Sequence, residues 1–347
     1  MEEITIKDIA RICGVGVSTV SRAINNHPDI NPETKEMIMR VIKENNYVPN
    51  NSARNLKRQD AKAIAVLVKG INNSFFSQMI KVLEEEIKEK SYAMVLQHVD
   101  YDEDEVEVAL KLVKEKRLRG IIFLGGYLVH SEEKLAQLHV PFILSTTGML
   151  PKGFSRNTYS SVAVDDTKES YKMVDYLCKN GHKDIAILCA RKTDASIGKL
   201  RLEGYKKALK DNGIEVREEL ILPMRSDLED YSLENGYMVT KEFLEKQIPC
   251  TAIFAISDML AIGAGKALSD AGYKVPEDIS VVGFDDDIYA ELCEPALTTV
   301  AVNIEEIGKV AAKRMMRYME RTRRRPGEVF RILGKIIYRD SVKEIKE

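Results

Sequence analysis

The chain of 347 residues contains no tryptophan and no apolar run long enough to cross a bilayer, which argues against a membrane-spanning protein. Cysteine is also scarce, and the five residues are too far apart to suggest a disulfide framework or a CxxC metal or redox site. Positive charge is not in excess either, because 52 lysine and arginine residues are balanced by 54 acidic residues and the net charge is −2. Only local sequence can therefore indicate a nucleic-acid partner.

The sequence also offers little to an enzyme or a secreted protein. The start, MEEITIKDIARICG, is acidic and helical in pattern where a secretory leader is basic and then apolar, so we expect a cytoplasmic, nucleoid-associated protein with no membrane partner. GVGVST follows a predicted helix and not a strand, unlike a dinucleotide-binding loop, and no Walker lysine follows a glycine loop. The histidines lack metal-ligand spacing, so we expect no catalytic residue, no metal and no cofactor.

Three short amphipathic helices are predicted at the N-terminus. Thr5 opens a capping box before a helix over 6–13, and the GVG turn at 14–16 ends that helix because glycine tolerates a positive φ. A second helix is predicted over 17–25. The sequence NPE at 31–33 caps a third, with proline in its first turn. The three apolar faces can share one small core, which predicts an all-α helix-turn-helix headpiece.

The outward side of the second predicted helix carries hydroxyls, one amide and one guanidinium. These groups suit DNA base edges and phosphates. Arg22 is the strongest candidate for reading a guanine, whereas each serine or threonine taken singly could simply be in contact with water. The polar set is Ser18, Thr19, Ser21, Arg22 and Asn25.

A basic connector follows, because residues 45–59 include Arg54, Lys57 and Arg58 and no acidic residue. A helix over 52–57 is too short to be stable without packing. We therefore expect either a hinge helix that folds on DNA or a plain flexible linker.

These segments resemble the headpiece of the LacI/GalR family of transcriptional regulators. The likeness covers TIKDIARICGVGVSTVSRAINN, the following NPETKEMIMRVIKENNYVPN, and SARNLK in the hinge position. It implies that the second helix enters the major groove and that Leu56 wedges into the minor groove. Gly16 departs from the pattern, since many relatives have a capping serine there. The implied DNA-binding residues are Thr5, Val17, Ser18, Thr19, Ser21, Arg22, Asn25, Asn31, Tyr47, Asn50, Ala53, Arg54 and Leu56.

Beyond Ala61, strand and helix patterns alternate, which predicts a two-lobed α/β domain with parallel sheets. Ligands of such sheets bind beyond the carboxyl ends of the strands, so we expect a site between the lobes. The basic run RTRRR near the end is predicted to be a solvated loop. The expected domains are a headpiece over 1–48, a hinge over 49–60, a first lobe over 61–160 plus about 290–322, and a second lobe over 161–289 plus about 323–342.

This larger segment resembles the type I periplasmic sugar-binding protein fold that the family carries as a sensor. The run NNSFF is similar to the NNPFF loop of ribose-type binders, and Arg201 matches an arginine that forks onto ligand oxygens. Asp165 closes a strand similarly but could equally cap the next helix. Ser257 stands where relatives often have asparagine. The implied effector-binding residues are Asn73, Phe75, Phe76, Asp165, Arg201, Ser257, Asp258 and Asp285.

The resemblance implies a homodimeric repressor that binds palindromic operator DNA and a small, sugar-like effector. A secreted solute-binding protein would explain the sensor but not the headpiece. The other alternative is a catabolite-control regulator switched mainly by a phosphorylated carrier protein. The residues leave open whether the effector is an inducer or a corepressor. No leucine-heptad tail follows Arg339, so we expect dimers and no helical tetramer module.

Overall fold

The computed structural model describes two compact units, residues 1–61 and 62–347. No helix within the described part of the chain is long and apolar enough to span a membrane. The described residues are 4–24, 26–45, 47, 62–70, 74–100, 102–126, 130, 132–147, 160–193, 196–320 and 327–345.

The first unit is the predicted three-helix headpiece. Helix α1 (Ile6–Cys13) begins with a complete capping box and ends at Gly14, whose φ of +64° is left-handed. Helix α2 (Val17–Ile24) follows directly, and α3 (Pro32–Glu44) begins with an asparagine cap and a first-turn proline. One small core joins the three helices through Ile9, Ala10, Val20, Ala23 and Ile38.

The second unit alternates strands with helices, as the apolar patterns predict. Its strands are β1 (Ala63–Lys69), β2 (Ala93–Val99), β3 (Gly120–Leu124), β4 (Phe142–Ser145), β5 (Ser160–Val164), β6 (Ile185–Cys189), β7 (Ile221–Pro223), β8 (Ala252–Ala255), β9 (Ser280–Val282), β10 (Thr299–Ala301), β11 (Val329–Ile332) and β12 (Lys335–Ile337). Its helices are α4 (Ser74–Glu89), α5 (Glu105–Glu115), α6 (Glu132–Ala136), α7 (Asp166–Lys179), α8 (Ile197–Asp211), α9 (Leu233–Glu245), α10 (Asp258–Asp270), α11 (Ile288–Leu292) and α12 (Ile304–Met319), with a 3-10 turn at Glu218–Leu220.

Two parallel sheets define the two lobes of this unit. The first has six strands in the order β11-β5-β4-β3-β1-β2, and the second has four in the order β7-β6-β8-β9. Strands β1, β3, β5, β6, β8 and β9 are almost entirely buried, as expected for parallel sheets covered by helices, whereas the edge strands β2 and β11 are partly exposed. Strands β10 and β12 form a separate antiparallel pair. The sheets thus confirm the predicted two-lobed α/β architecture.

The chain crosses between the lobes three times within the described elements: after β5, between β10 and α12, and between β11 and β12. The sequence places β5 and β11 in the second lobe, but both strands belong to the first sheet, where they pair with each other and β5 pairs with β4. Strands β5 and β11 therefore correct the predicted boundaries. The error arises because a short strand does not encode which sheet it joins.

Helices α9 and α10 cross at glycines, which allows a test of the packing. A Cβ atom on Gly263 would lie 2.1 Å from the backbone oxygen of Leu233, whereas a Cβ atom on Gly265 would meet nothing within 4 Å. We expect Gly263→Ala to destabilise the fold by about 1–3 kcal/mol through overpacking. Gly265→Ala should stabilise it by about 0.5–1 kcal/mol through helix propensity. Urea unfolding followed by circular dichroism measures both, and a similar effect of the two substitutions would contradict the close crossing.

Candidate functional site

Helix α2 has one side that packs into the headpiece core and another that is exposed. Val20 and Ala23 pack into the core, and Val17 is 43% exposed on another side of the helix together with Ser18 and Arg22. This division follows from the helical period, because residues three and four positions apart share a side. The three residues that the family pattern assigns to base contacts are thus all accessible.

Arg22 has a guanidinium suited to a base edge. Its Nη1 lies 3.5 Å from Asp29 Oδ2, and its side chain is 58% exposed. An ion pair this exposed contributes little and exchanges readily for another partner. Thr19 and Ser21, at the neighbouring positions, are half-buried. The arrangement leaves the Arg22 side chain available to a ligand outside the headpiece.

Three other predicted DNA-binding residues have structural roles in the headpiece. Thr5 caps α1 by accepting a hydrogen bond from the Asp8 amide, and Asn31 caps α3. Tyr47 packs against the core. Their DNA contacts stay predictions. The remaining predicted DNA-binding residues lie outside the described residues: Asn25, Asn50, Ala53, Arg54 and Leu56.

A cavity of about 600 Å³ opens in the second unit beyond the carboxyl ends of strands from both sheets. The first lobe contributes residues after β1, β3 and β4, and the second contributes residues after β6, β7 and β9. Four of the predicted effector-binding residues belong to its wall. They are Phe75, Phe76, Arg201 and Asp285.

Phe75 and Phe76 form the aromatic part of the wall in the first turn of α4. Their rings pack edge to face, with centroids 5.4 Å apart. Each residue is only 7% exposed, so both rings also belong to the core of the first lobe. The pair can therefore offer a rigid apolar surface to a bound molecule.

Arg201 is held from several directions by the second lobe. Its Nε donates to Asp166 Oδ1 over 2.9 Å, its Nη1 donates to the Ile256 carbonyl, and its Nη2 lies 3.3 Å from Asp285 Oδ1. The guanidinium carbon also lies 3.6 Å from the ring centroid of Phe284. All three nitrogens thus have protein acceptors, which the predicted fork onto ligand oxygens did not anticipate.

The carboxyl groups around Arg201 are strongly affected by burial. Burial raises the pKa of Asp285 to about 7, although Arg201 opposes the shift. Burial raises the pKa of Asp166 for the same reason and against the same opposing charge.

Three predicted effector-binding residues are not brought to the cavity. Asp165 caps α7 by accepting from the Lys168 amide, and Ser257 caps α10. Asp258 is buried behind the wall, where it accepts from the Thr299 hydroxyl and the Asp287 amide. These side chains satisfy backbone and neighbouring groups instead. Asn73 lies outside the described residues, and Asp166, one position after Asp165, is the carboxyl group in the wall.

Two ion pairs that include a residue of the cavity wall have no counterpart among the predicted effector-binding residues. Lys69 is 6% exposed, and its Nζ lies 3.3 Å from Glu105 Oε2. Glu105 Oε1 also contacts His130 Nε2 at 2.7 Å. In the second lobe, Arg191 forms an ion pair with Asp230. Lys69 could have been noticed as a cation directly ending an apolar strand, whereas the Arg191 pair joins two loops without a sequence pattern.

No group of three or more histidine, cysteine, aspartate or glutamate side chains that could hold a metal ion occurs among the described residues. The candidate sites are therefore an exposed helix surface and a polar cavity with an aromatic wall.

Comparison with known proteins agrees with this organisation. A family model for bacterial regulatory proteins of the lacI family matches residues 5–50, and a model for a periplasmic binding protein-like domain matches residues 174–342. The crystal structure of the lac repressor dimer bound to operator and the anti-inducer ONPF has a TM-score of 0.76, with 23% identity over 99% of this chain and 100% of that chain. At that identity the likeness shows the fold alone.

Two further proteins are more similar in sequence. The transcriptional regulator CelR in complex with cellobiose is 27% identical, has a TM-score of 0.69, and matches over 97% of this chain and 99% of that chain. The HTH-type transcriptional regulator MalR of Clostridium butyricum is 44% identical over 297 residues, which cover 85% of this chain and 87% of that protein. These relatives are regulators and not enzymes. The chain belongs to the LacI family of bacterial transcriptional regulators.

Proposed function

We propose that this regulator is a repressor whose affinity for operator DNA is controlled by a sugar-like molecule bound between the two lobes. The observation that carries the proposal is the presence in one chain of an accessible α2 surface and a cavity of about 600 Å³ bounded by both lobes. A cavity of this size suits a small organic ligand. The cellobiose complex of CelR supports a sugar as that ligand.

The DNA-binding half of the proposal rests on α2. Val17, Ser18 and Arg22 would contact bases, and two headpieces in a symmetric dimer would bind palindromic half-sites. The hinge leucine, Leu56, would enter the minor groove by resemblance to the family. Site-specific affinity would then depend on both the headpiece and the hinge.

The proposed control of operator affinity by a ligand rests on contacts between the two lobes. Ser74, at the start of α4 in the first lobe, donates a hydrogen bond to Asp287 in the second lobe. A ligand in the cavity would contact Phe75 and Thr146 on one side and Asp166 and Tyr231 on the other. Such a ligand favours whichever lobe arrangement it binds best, and operator affinity would change with that equilibrium.

Substitution of Arg22 tests base readout. In vitro selection from random duplexes should yield a palindromic site, and Arg22→Ala should weaken binding to it by about 1–3 kcal/mol and relax the preference at one position of each half-site. Arg40→Ala is the matched control, because Arg40 is an exposed arginine of α3 outside the predicted set. Equal losses for the two variants, measured by fluorescence anisotropy, would argue against readout by α2.

Leu56 allows a separate test of the hinge. Leu56→Ala should reduce operator affinity at least about tenfold, because the kinked site loses its wedge, while salt-sensitive binding to unrelated DNA stays unchanged. Titrations of both DNAs over a range of salt concentrations measure the two effects. The proposed wedge fails if both affinities fall together.

Ligand control is tested by titrating neutral and charged sugars into the protein–operator complex. An effector should change operator affinity at least about fivefold in either direction and raise the melting temperature of the free protein by mass action. The alternative, a catabolite-control regulator, is supported instead if no sugar changes operator affinity or melting temperature and a phosphorylated carrier protein changes operator affinity.

A further inference from the structure

Resting on the proposed function, we propose that the cavity between the lobes selects an uncharged sugar and rejects phosphorylated sugars and sugar acids. The described wall contains three cationic side chains, and each of them is already paired with a carboxyl group of the protein. Proteins usually bind phosphate and carboxylate groups with arginine, lysine or backbone N–H groups. In the described wall, the arginine and lysine side chains are chiefly bound to carboxyl groups of the protein itself. The cations are Lys69, Arg191 and Arg201.

Lys69 is the cation of the first lobe. Its ammonium lies 3.3 Å from Glu105 and also donates to the Glu103 carbonyl. Both Lys69 and Glu105 are buried, so their mutual attraction is weakly screened. An anionic ligand would compete with a buried carboxylate for this ammonium. That competition removes most of the favourable binding free energy that a phosphate would otherwise obtain from Lys69.

The two arginines of the second lobe are engaged in the same way. Arg201 is shared between Asp166 and Asp285, and Arg191 is paired with Asp230. The wall also includes the carboxyl groups of Asp102 and Glu229. An anion bound in the described wall would therefore compete with the protein's own carboxyl groups for these cations, and it would lose its hydration as well.

Some backbone N–H groups near the cavity also donate hydrogen bonds to side chains of the protein. The N-terminus of α8 reaches the wall, but its Gly198 amide donates to the Ser196 hydroxyl. The Gly125 amide, after β3, donates to Thr146 Oγ1 over 3.0 Å. These contacts reduce the donors available to a phosphate at positions where helix N-termini and glycine turns often bind one.

Two wall residues instead have polar atoms that lack a partner. Asp166 Oδ2 and Thr147 Oγ1 are buried without a hydrogen bond, and an unpaired buried polar atom is unfavourable. An ionised phosphate or carboxylate supplies acceptors only. A sugar hydroxyl can both donate and accept, and the edge-to-face pair of Phe75 and Phe76 offers an apolar surface to the C–H side of a pyranose ring. The chemistry of the wall thus matches an uncharged polyol.

Matched pairs of sugars test the inference. Calorimetric and thermal-shift titrations of the full-length protein would compare glucose with glucose 6-phosphate, trehalose with trehalose 6-phosphate, ribose with ribose 5-phosphate, and cellobiose with cellobionate. At least one neutral member should bind, and its charged counterpart should bind at least about 100-fold more weakly, because the charge is desolvated without a free counter-ion. A charged member that binds as tightly as its neutral partner overturns the charge selection but retains sugar control. Failure of every sugar overturns the sugar effector itself.

A change in selectivity by substitution gives an independent test. Asp230→Asn removes the carboxylate that pairs with Arg191, so the affinity for the phosphorylated member of the binding pair, divided by the affinity for its neutral partner, should rise at least about tenfold. Asp227→Asn is the matched control, since Asp227 pairs with Arg225 nearby but is not part of the described wall. A circular-dichroism spectrum and a cooperative melting transition like those of the unsubstituted protein show that the variant is folded. No gain in phosphate binding by the folded Asp230→Asn variant would contradict the inference.

Discussion

The buried guanidinium of Arg201 joins four separate segments of the second lobe. It connects α8 to Asp166 at the start of α7, to the Ile256 carbonyl after β8, and to Asp285 after β9, and it stacks on Phe284. Removing one member of such a group leaves the others buried without compensation, which commonly costs about 3–5 kcal/mol. The position of the cavity wall in this lobe therefore depends on a charge cluster that must stay intact.

Arginine serves two different purposes in this chain because its surroundings differ. Arg22 is exposed, and its contact with Asp29 is long, so the side chain can change partners at little cost. Arg201 is 3% exposed and has protein acceptors on all three nitrogens. The same functional group is thus accessible to an outside ligand in one unit and is a structural connector in the other.

Local patterns determined most of what the sequence could predict. The bounds of α1 agree with the structure, and α3 begins at the predicted cap, because caps, apolar period and breakers coincide there. Strands of three or four residues, such as β4 and β7, are the hardest to recognise, since they carry too few positions for a period. The predicted sheet membership of β11 was wrong, because pairing partners depend on contacts far away in the chain.

For the cavity residues too, local motifs could be predicted and contacts between distant segments could not. Phe75, Arg201 and Asp285 could be placed in the wall from motifs at strand ends and helix starts. Adjacent carboxyl groups could not be distinguished, so Asp165 was predicted where the structure has Asp166. The Arg191–Asp230 pair joins two loops whose approach depends on the tertiary fold. Sequence thus located the cavity but not the charge balance within it.

The three crossings between the lobes affect how this regulator can be divided and recombined. Neither lobe is one continuous stretch of sequence, because α12 and β11 return to the first lobe before β12 rejoins the second. Exchanging one lobe for that of a relative would require three junctions in the chain. The headpiece precedes the whole sensor, so a single junction suffices to exchange it. New pairings of operator and effector specificity are therefore most accessible, in evolution and in the laboratory, by recombination at that one boundary.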